Sequence, residues 1–363
     1  VMVVINQTPF YAESGGQVGD TGTITDPGNL KVDISNTTIM ADNLSVHSGR
    51  IVSGTLKLGA AVHLQVNTER RSALRRSHSA THLFHAALRR HLGDHVNQKG
   101  SLVAPDRLRF DISHPKAVSS EELLLVESEV NQQILDNNAV ATALMKPEDA
   151  IQQGALALFG EKYGEEVRVI SMEGSDGNDY STELCGGTHV QRTGNIGLFR
   201  IISEGAVGAG IRRLEALTGS GALSFIRRQD TLLRTSADAL KVRPSELTER
   251  IATFLTERKQ LEIELSDTRR TLATGGNKDA IKGDIREIRG IKFVARRLNG
   301  VPARDLRGMA DDLKKHIGAG VVALVTETEG KAAIVVGVTQ DLTNRVDATV
   351  SNTHLTLPTS DLV

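Results

Sequence analysis

The sequence predicts an α+β protein built from successive modules, and three observations carry that reading. A glycine-punctuated, β-rich stretch fills residues 1–67; a long helical pattern then opens at Thr68 and gives way to mixed strand and helix signals; a heptad-like seam after residue 221 leads into a strand–helix–strand–strand order. At about 150 residues per domain, 363 residues allow two or three domains. Apolar residues at 39% and charged residues at 24% exclude global disorder. The longest apolar runs, Gly318 to Val325 and Ala332 to Val338, fall short of the ~20 residues a membrane span needs.

Val1 to Ile5 reads as a strand. Phe10 to Gly22 is too rich in glycine for a helix, since each interior glycine costs about 1 kcal/mol, so it is expected to form turns and short strands. Lys31 to Ile34, Arg50 to Gly54 and Ala61 to Val66 are further strand candidates, which together predict a small β-barrel-like module over 1–67. Leu74, Leu83, Ala87 and Leu88 recur at helical spacing with no Pro or Gly before Gly93, predicting one helix from Thr68 to Leu92. Leu102 to Asp111 has strand composition, and Ser119 to Leu135 is amphipathic with a Ser-Ser-Glu-Glu start suited to a helix N-terminus. Val167 to Met172, Gly197 to Glu204 and Ile211 to Thr218 are β-rich and complete an α+β domain over 68–220.

From residue 221 to 289 the texture is helical. Leu247, Ile251, Phe254, Leu261 and Leu265 form a heptad seam with one polar break at Arg258, and Pro244-Ser245 separates it from Leu223 to Leu240, predicting an antiparallel hairpin. Residues 290–347 read as an incomplete α/β module with a helix at Ala303 to Ile317 between strands at Ile291, Val321 to Thr326 and Lys331 to Thr339. The tail 348–363 is atypical in composition and reads as foreign sequence or an ordinary loose terminus.

Lys and Arg number 43 against 44 Asp and Glu, so any basic surface must be local. The single cysteine, Cys185, excludes an intrachain disulfide, and Val1-Met2-Val3-Val4 lacks a signal-peptide pattern, so a cytoplasmic protein is expected. His78 and His82 stand four apart on one helix face, with His85 alongside. Cys185 opens Cys185-Gly186-Gly187-Thr188-His189, where two glycines let thiolate and imidazole converge. Nitrogen and sulfur donors in such number suit tetrahedral Zn²⁺, with Zn–N near ~2.0 Å and Zn–S near ~2.3 Å. Spacing alone leaves a chance pair open, since His91 and His95 are also four apart.

Four phrases go further. PFYAESGGQVGDTG, RSHSATHLFHAALR, HVNQKGS and ELCGGTHVQRTGNIGLFRIISEGAVGAGIRRLEALTG, in this order, resemble the editing region of the alanyl-tRNA synthetase family, and the resemblance runs from Val1 to about Asp347. It implies one Zn²⁺ per chain held by His78, His82, Cys185 and His189, with His85 as a neighbouring helix-face residue. It also implies that Gln98 lies near the scrutinised amino acid, in a domain that hydrolyses Ser-tRNA(Ala) and Gly-tRNA(Ala). One of these substrates is larger and one smaller than the correct alanyl ester, so a size sieve cannot separate them. A polar contact to the serine hydroxyl can, and Gln98 and Thr81 are the candidates, although Thr81 can equally back-bond its own helix.

Arg70, Arg71, Arg75, Arg76, Arg89 and Arg90 bracket the histidine helix, and Arg212 and Arg213 add to that collar; Arg75, Arg76, Arg212 and Arg213 are the expected phosphate contacts to tRNA(Ala). The glycine-rich run at Glu13 to Gly22 lacks the Lys-Ser/Thr of a P-loop, so ATP is expected only for an aminoacylating domain that should precede Val1. The resemblance likens the later modules to a helical linker and the first part of a C-terminal tRNA-binding domain, through which a homo-oligomer could form. Two other readings compete with an editing part of a synthetase: a free-standing editing protein acting in trans, and a non-catalytic, zinc-stapled tRNA-binding fragment.

Overall fold

The computed structural model describes residues 1–40, 44–156, 165–174, 177–274, 285–328 and 330–345, so the atypical tail lies outside the described residues. The chain divides into two compact units, Val1–Leu233 and Arg234–Val363.

In the first unit, β1 (Met2–Val4), β2 (Gly22–Thr25), β3 (Lys31–Met40), β4 (Leu44–Ser53) and β5 (His63–Val66) form an antiparallel sheet in the order β1-β4-β3-β2-β5. The order leaves β1 and β5 as separate edges, so the strand pairing is that of an open sheet rather than a closed barrel. Phe10, Ile24, Leu30, Val32 and Ile34 fill its core. The glycine-rich run forms turns and isolated bridges, and a buried ion pair ties it down: Arg71 donates from Nε to both Asp20 oxygens at 2.9 and 2.8 Å and from Nη2 to Pro9 O at 2.8 Å.

Helix α1 (Thr68–Leu92) starts where Asn67 accepts the Arg70 N–H at 3.0 Å and stops at Gly93, whose φ of +112° a residue with a Cβ would rarely adopt. Next come β6 (Gln98–Val103), β7 (Leu108–Ser113), α2 (Ser120–Asp136), β8 (Val140–Met145), α3 (Pro147–Gln152), β9 (Val167–Glu173), β10 (Asp179–Leu184), β11 (Phe199–Gly208) and β12 (Ile211–Thr218). They build two further antiparallel sheets, β11-β12-β7-β6 and β10-β9-β8. Leu83, Phe84, Ala87 and Leu88 of α1 are fully buried in a core shared with Phe110, Phe199 and Leu214, with the Phe84 ring 6.1 Å from Phe110 and 5.1 Å from Phe199. Burial of each such side chain stabilises the fold by about 1.5–3 kcal/mol, enough to fix α1 against the sheets.

Leu102 to Asp111 is a hairpin rather than one strand, because Ala104-Pro105-Asp106-Arg107 turns the chain between β6 and β7. Helix α4 (Gly219–Ala239) runs across the division, and Lys241 at φ +57° and Pro244 separate it from α5 (Leu247–Thr274). Seam residues Ile251, Phe254, Leu261 and Leu265 are 44%, 50%, 63% and 49% exposed. The second unit continues with β13 (Arg286–Ile288), β14 (Ile291–Asn299), α6 (Ala303–Ile317), β15 (Gly320–Thr328) and β16 (Lys331–Val338), ordered β13-β14-β15-β16. The β14–β15 pair is parallel, which requires the crossover that α6 supplies; Leu306, Met309 and Leu313 bury one face of that helix. Among the described residues no helix is long and apolar enough to cross a membrane.

Candidate metal centre and adjoining cleft

The middle of α1 is buried from Ser77 to His85, whatever the polarity of the residue. His78 and His82, one turn apart, stack with ring centroids 5.2 Å apart and an 11° interplanar angle. Cys185 follows the end of β10, and the next turn brings His189 against both rings at 4.5 and 5.1 Å. The Cys185 Sγ lies 3.3 Å from His78 Nε2 and 3.3 Å from His189 Nε2, and one donor atom from each of the four residues fits within 4.8 Å of the others. Gly187 makes this approach possible, since a Cβ there would overlap the His78 ring.

Each imidazole is held from its far nitrogen. His78 Nδ1 donates to Gln17 Oε1 at 2.7 Å; that oxygen also accepts the Thr188 N–H at 3.0 Å and the Thr188 hydroxyl at 3.2 Å. His82 Nδ1 donates to Glu183 Oε2 at 2.6 Å, and His189 Nδ1 meets Ser79 Oγ at 3.2 Å. With Nδ1 of each ring turned to its brace, the Nε2 atoms of His78 and His189 face the thiol. The buried Nε2 of His82 has no hydrogen-bond partner among the described residues. Three imidazoles and a thiol with one orphaned nitrogen fit a divalent cation of borderline softness better than a hydrogen-bonded core.

Charge is shared out unevenly among the four: burial opposes charge on His82, but Glu183 and Cys185 outweigh it and raise its pKa to about 10. Burial opposes ionisation of Cys185, yet the His78 and His82 charges and the His189 hydrogen bond outweigh it and hold the thiol well below its ordinary range. Burial pushes His189 down to about 3, which keeps it neutral. Burial likewise opposes charge on Glu183, but His82, and His85 through a hydrogen bond, hold the carboxyl ionised.

A cleft of about 280 Å³ opens beside the group and is lined by His78, Thr81, His82, Gln98 and Ser101 among others. Gln98 begins β6, and Thr81 is reached from α1 with its hydroxyl donating to Ser77 O at 2.9 Å, so it offers the cleft only an oxygen acceptor. Arg168 donates to the carbonyls of Gly186 and Gly187 at 3.3 and 2.5 Å and fixes the loop between Cys185 and His189. Behind His189, a polar pocket of about 380 Å³ is lined by Ser72, Arg75, Arg76 and Gln191.

The other arginines of the expected collar are committed elsewhere. Arg212 gives two donors to Glu204 at 2.5 and 2.8 Å, and Arg213 gives two to Asp111 at 2.7 and 2.8 Å. Each forked pair uses Nε and Nη2, two of the five N–H donors of a guanidinium, and leaves three outside the pair. Arg89 binds Asp94 and the Val96 carbonyl, and Arg90 covers the Tyr180 ring at 4.1 Å. Glu183 was absent from the expected site; its signal was position, near the end of β10 and two residues before Cys185, with which it lines the cleft.

Comparison with known families identifies two stretches of the chain as domains of aminoacyl-tRNA synthetases. Residues 167–215 match the family described as the Threonyl and Alanyl tRNA synthetase second additional domain, and residues 1–70 match tRNA synthetases class II (A). The first range holds Glu183, Cys185 and His189, and the second holds Gln17; His78 and His82 lie outside both. The alanine–tRNA ligase of Granulibacter bethesdensis is 54% identical over 353 residues, covering 96% of this chain and 39% of that protein. Those of Chelativorans sp. and Rhizorhabdus wittichii are 53% and 48% identical, each covering 96% of this chain and 40% of the relative. The chain belongs to the alanyl-tRNA synthetase family, and it spans about two fifths of the length of the curated relatives it matches.

Proposed function

We propose that residues 68–220 are an editing domain that binds the 3′ end of mischarged tRNA(Ala) and hydrolyses the ester to serine or glycine, with one Zn²⁺ held by His78, His82, Cys185 and His189. The observation that supports this best is the convergence of those four donors beside a cleft that also contains Gln98 and Thr81. Zinc would supply a fixed positive charge that orients or polarises the terminal ribose and its ester. The chain's own residues do the rest. Gln17, Glu183 and Ser79 hold the imidazoles in place, and Arg168 holds the Gly186–Gly187 turn at the wall of the cleft. Water adds to the ester carbonyl; the acyl carbon–oxygen bond breaks, releasing the amino acid and the ribose hydroxyl. An ester is already activated, so positioning the reacting groups can supply much of the acceleration.

Selection for serine would rest on polar contacts. Thr81 offers an oxygen that can accept the serine hydroxyl, and the Gln98 amide can donate or accept across the cleft. Alanine has no hydroxyl to satisfy either. Arg75 and Arg76 line the pocket behind His189, which supports a role for them in meeting phosphates of the incoming strand. Residues 1–67, which supply Gln17, would brace the site, 221–289 and 290–347 would add tRNA affinity, and aminoacylation with ATP is not expected from the residues present.

The test is hydrolysis of Ser-tRNA(Ala), Gly-tRNA(Ala) and Ala-tRNA(Ala) under matched conditions by the full chain, Cys185→Ala and Gln98→His. The wild type should prefer Ser-tRNA(Ala) to Ala-tRNA(Ala). Cys185→Ala should lose both zinc and hydrolysis, and Gln98→His should lose serine removal while keeping zinc. Equal rates on the seryl and alanyl esters, or zinc-free wild type that is folded and fully active, would overturn the reading.

A further inference from the structure

The three imidazoles that face Cys185 are braced by three different groups: the Gln17 amide, the Ser79 hydroxyl and the Glu183 carboxylate. Only the last is charged. Glu183 is 4% exposed, and while Oε2 takes His82 Nδ1, Oε1 takes His85 Nδ1 at 2.9 Å. His85 lies outside the four-donor group; its ring stands edge-on to Phe110 at 5.3 Å, and its buried Nε2 has no partner among the described residues. A buried histidine in an apolar surround costs free energy unless its polar contact does something. Its hydrogen bond is to Glu183.

We propose that Glu183 and His85 form a positioning pair for the metal ligand His82. A carboxylate held by one oxygen can rotate about its terminal bond, and the second histidine removes that freedom. With its Nδ1 proton so fixed, His82 would offer its Nε2 lone pair to a bound metal, the arrangement that raises a ligand's basicity and fixes its ring. Charge supplies a second reason. A thiolate and a carboxylate together offset a dication, so the buried set is neutral with Glu183 present and carries a net positive charge with an amide in its place. Glu183 and His85 thus tune how tightly the centre holds a metal without touching it.

This inference rests on the metal reading above, and zinc affinity of the full chain, measured by competition with a chelator, tests the two separately. Glu183→Gln should weaken zinc binding by about 10–100-fold, while the cobalt-substituted protein keeps the thiolate-to-cobalt absorption that reports Cys185 ligation. Glu183→Asp, which retains the charge, should recover part of the loss. His85→Phe should weaken binding by a smaller factor, and the double variant Glu183→Gln with His85→Phe should fall short of the product of the two single effects. A wild-type chain that takes up no zinc overturns the metal reading and this inference with it. Zinc-bound wild type alongside variants of unaltered affinity, or two effects that multiply independently, overturns the positioning pair alone. If Glu183→Gln does not fold, His85→Phe decides: unaltered affinity overturns the pair.

Discussion

Helices α1 and α5 have similar length, 25 and 28 residues, and both announce themselves by apolar spacing, yet they end up in opposite surroundings. In α1 nine consecutive residues from Ser77 to His85 are buried, three of them histidines, whereas the apolar seam of α5 stays exposed at Ile251, Phe254, Leu261 and Leu265. Apolar spacing therefore identifies a helix but does not say what covers it. Coverage comes from partners distant in sequence: for α1 these are α2 and strands between residues 98 and 218, which supply the apolar core, and the turn after β10, which supplies the Cys185–His189 half of the centre. Two phenylalanines give the sharpest measure of the contrast. Phe84→Ala removes a fully buried ring and should destabilise the protein by about 3–5 kcal/mol in denaturant unfolding of the first unit. Phe254→Ala removes a ring that is 50% exposed and should change stability by no more than about 0.5 kcal/mol. A large, concentration-dependent loss for Phe254→Ala would break the comparison, because it would mean that a second chain covers the seam in solution.

Arginines show the same distinction between residue type and partner. Four were expected to touch tRNA phosphates, and composition could not separate them. The structure separates them by pairing: Arg212 and Arg213 are each forked onto a carboxylate, while Arg75 and Arg76 face a polar pocket. Replacing Arg75 and Arg76 together by Ala should lower the slope of log affinity for uncharged tRNA against log salt by about 2, one for each phosphate that is no longer neutralised, with zinc content unchanged. Arg213→Ala should leave the slope alone and instead lower Tm, because Asp111, buried beside it, loses its forked partner. An unaltered slope for the Arg75/Arg76 variant, or a reduced one for Arg213→Ala, would reverse the assignment.

What could be read from the sequence follows the same line. Thr68 to Leu92, Ile211 to Thr218 and Ala303 to Ile317 were legible to the residue, because each couples regular spacing to a clear stop such as Gly93, Gly219 or Gly318. Strand β10 was not legible, and the reason is functional. Its sequence Asp-Tyr-Ser-Thr-Glu-Leu buries Tyr180, Ser181 and Glu183, so polar residues stand where a strand pattern wants apolar ones. Strand β8 was hidden for the opposite reason: Val140 to Met145 is an edge strand with four exposed interior residues, so burial imposes no alternation. Of the four-donor group, every member was named from motifs, but the roles of the residues that brace them were not. Hydrogen-bond partners such as Glu183 and Ser79 are ordinary residues whose role is set by what folds against them.

Helix α2 separates local from distant causes, since its start is written entirely in adjacent residues. Ser119 accepts the Glu122 N–H at 3.2 Å while the Glu122 carboxylate accepts the Ser119 N–H at 2.8 Å, closing a capping box. Ser119→Ala should therefore cost about 1 kcal/mol, less than the loss of Phe84 and more than the loss of Phe254. The hydrogen bonds from Ser119 hold the Glu122 carboxyl below its ordinary value of 4.5, with Lys116 adding to the effect. A carboxylate with a depressed folded-state pKa contributes stability that is fully present above its unfolded value and is lost as pH falls through the folded one. The stability difference between wild type and Glu122→Gln should thus be constant from neutral pH down to about 5 and shrink below the ordinary carboxylate range. Matched denaturant titrations of the two proteins at pH 7, 5 and 3 measure that difference directly, with general acid effects common to both. A difference that holds steady or grows on acidification would show that the Glu122 charge does not serve the cap, and that α2 depends on distant partners for its start.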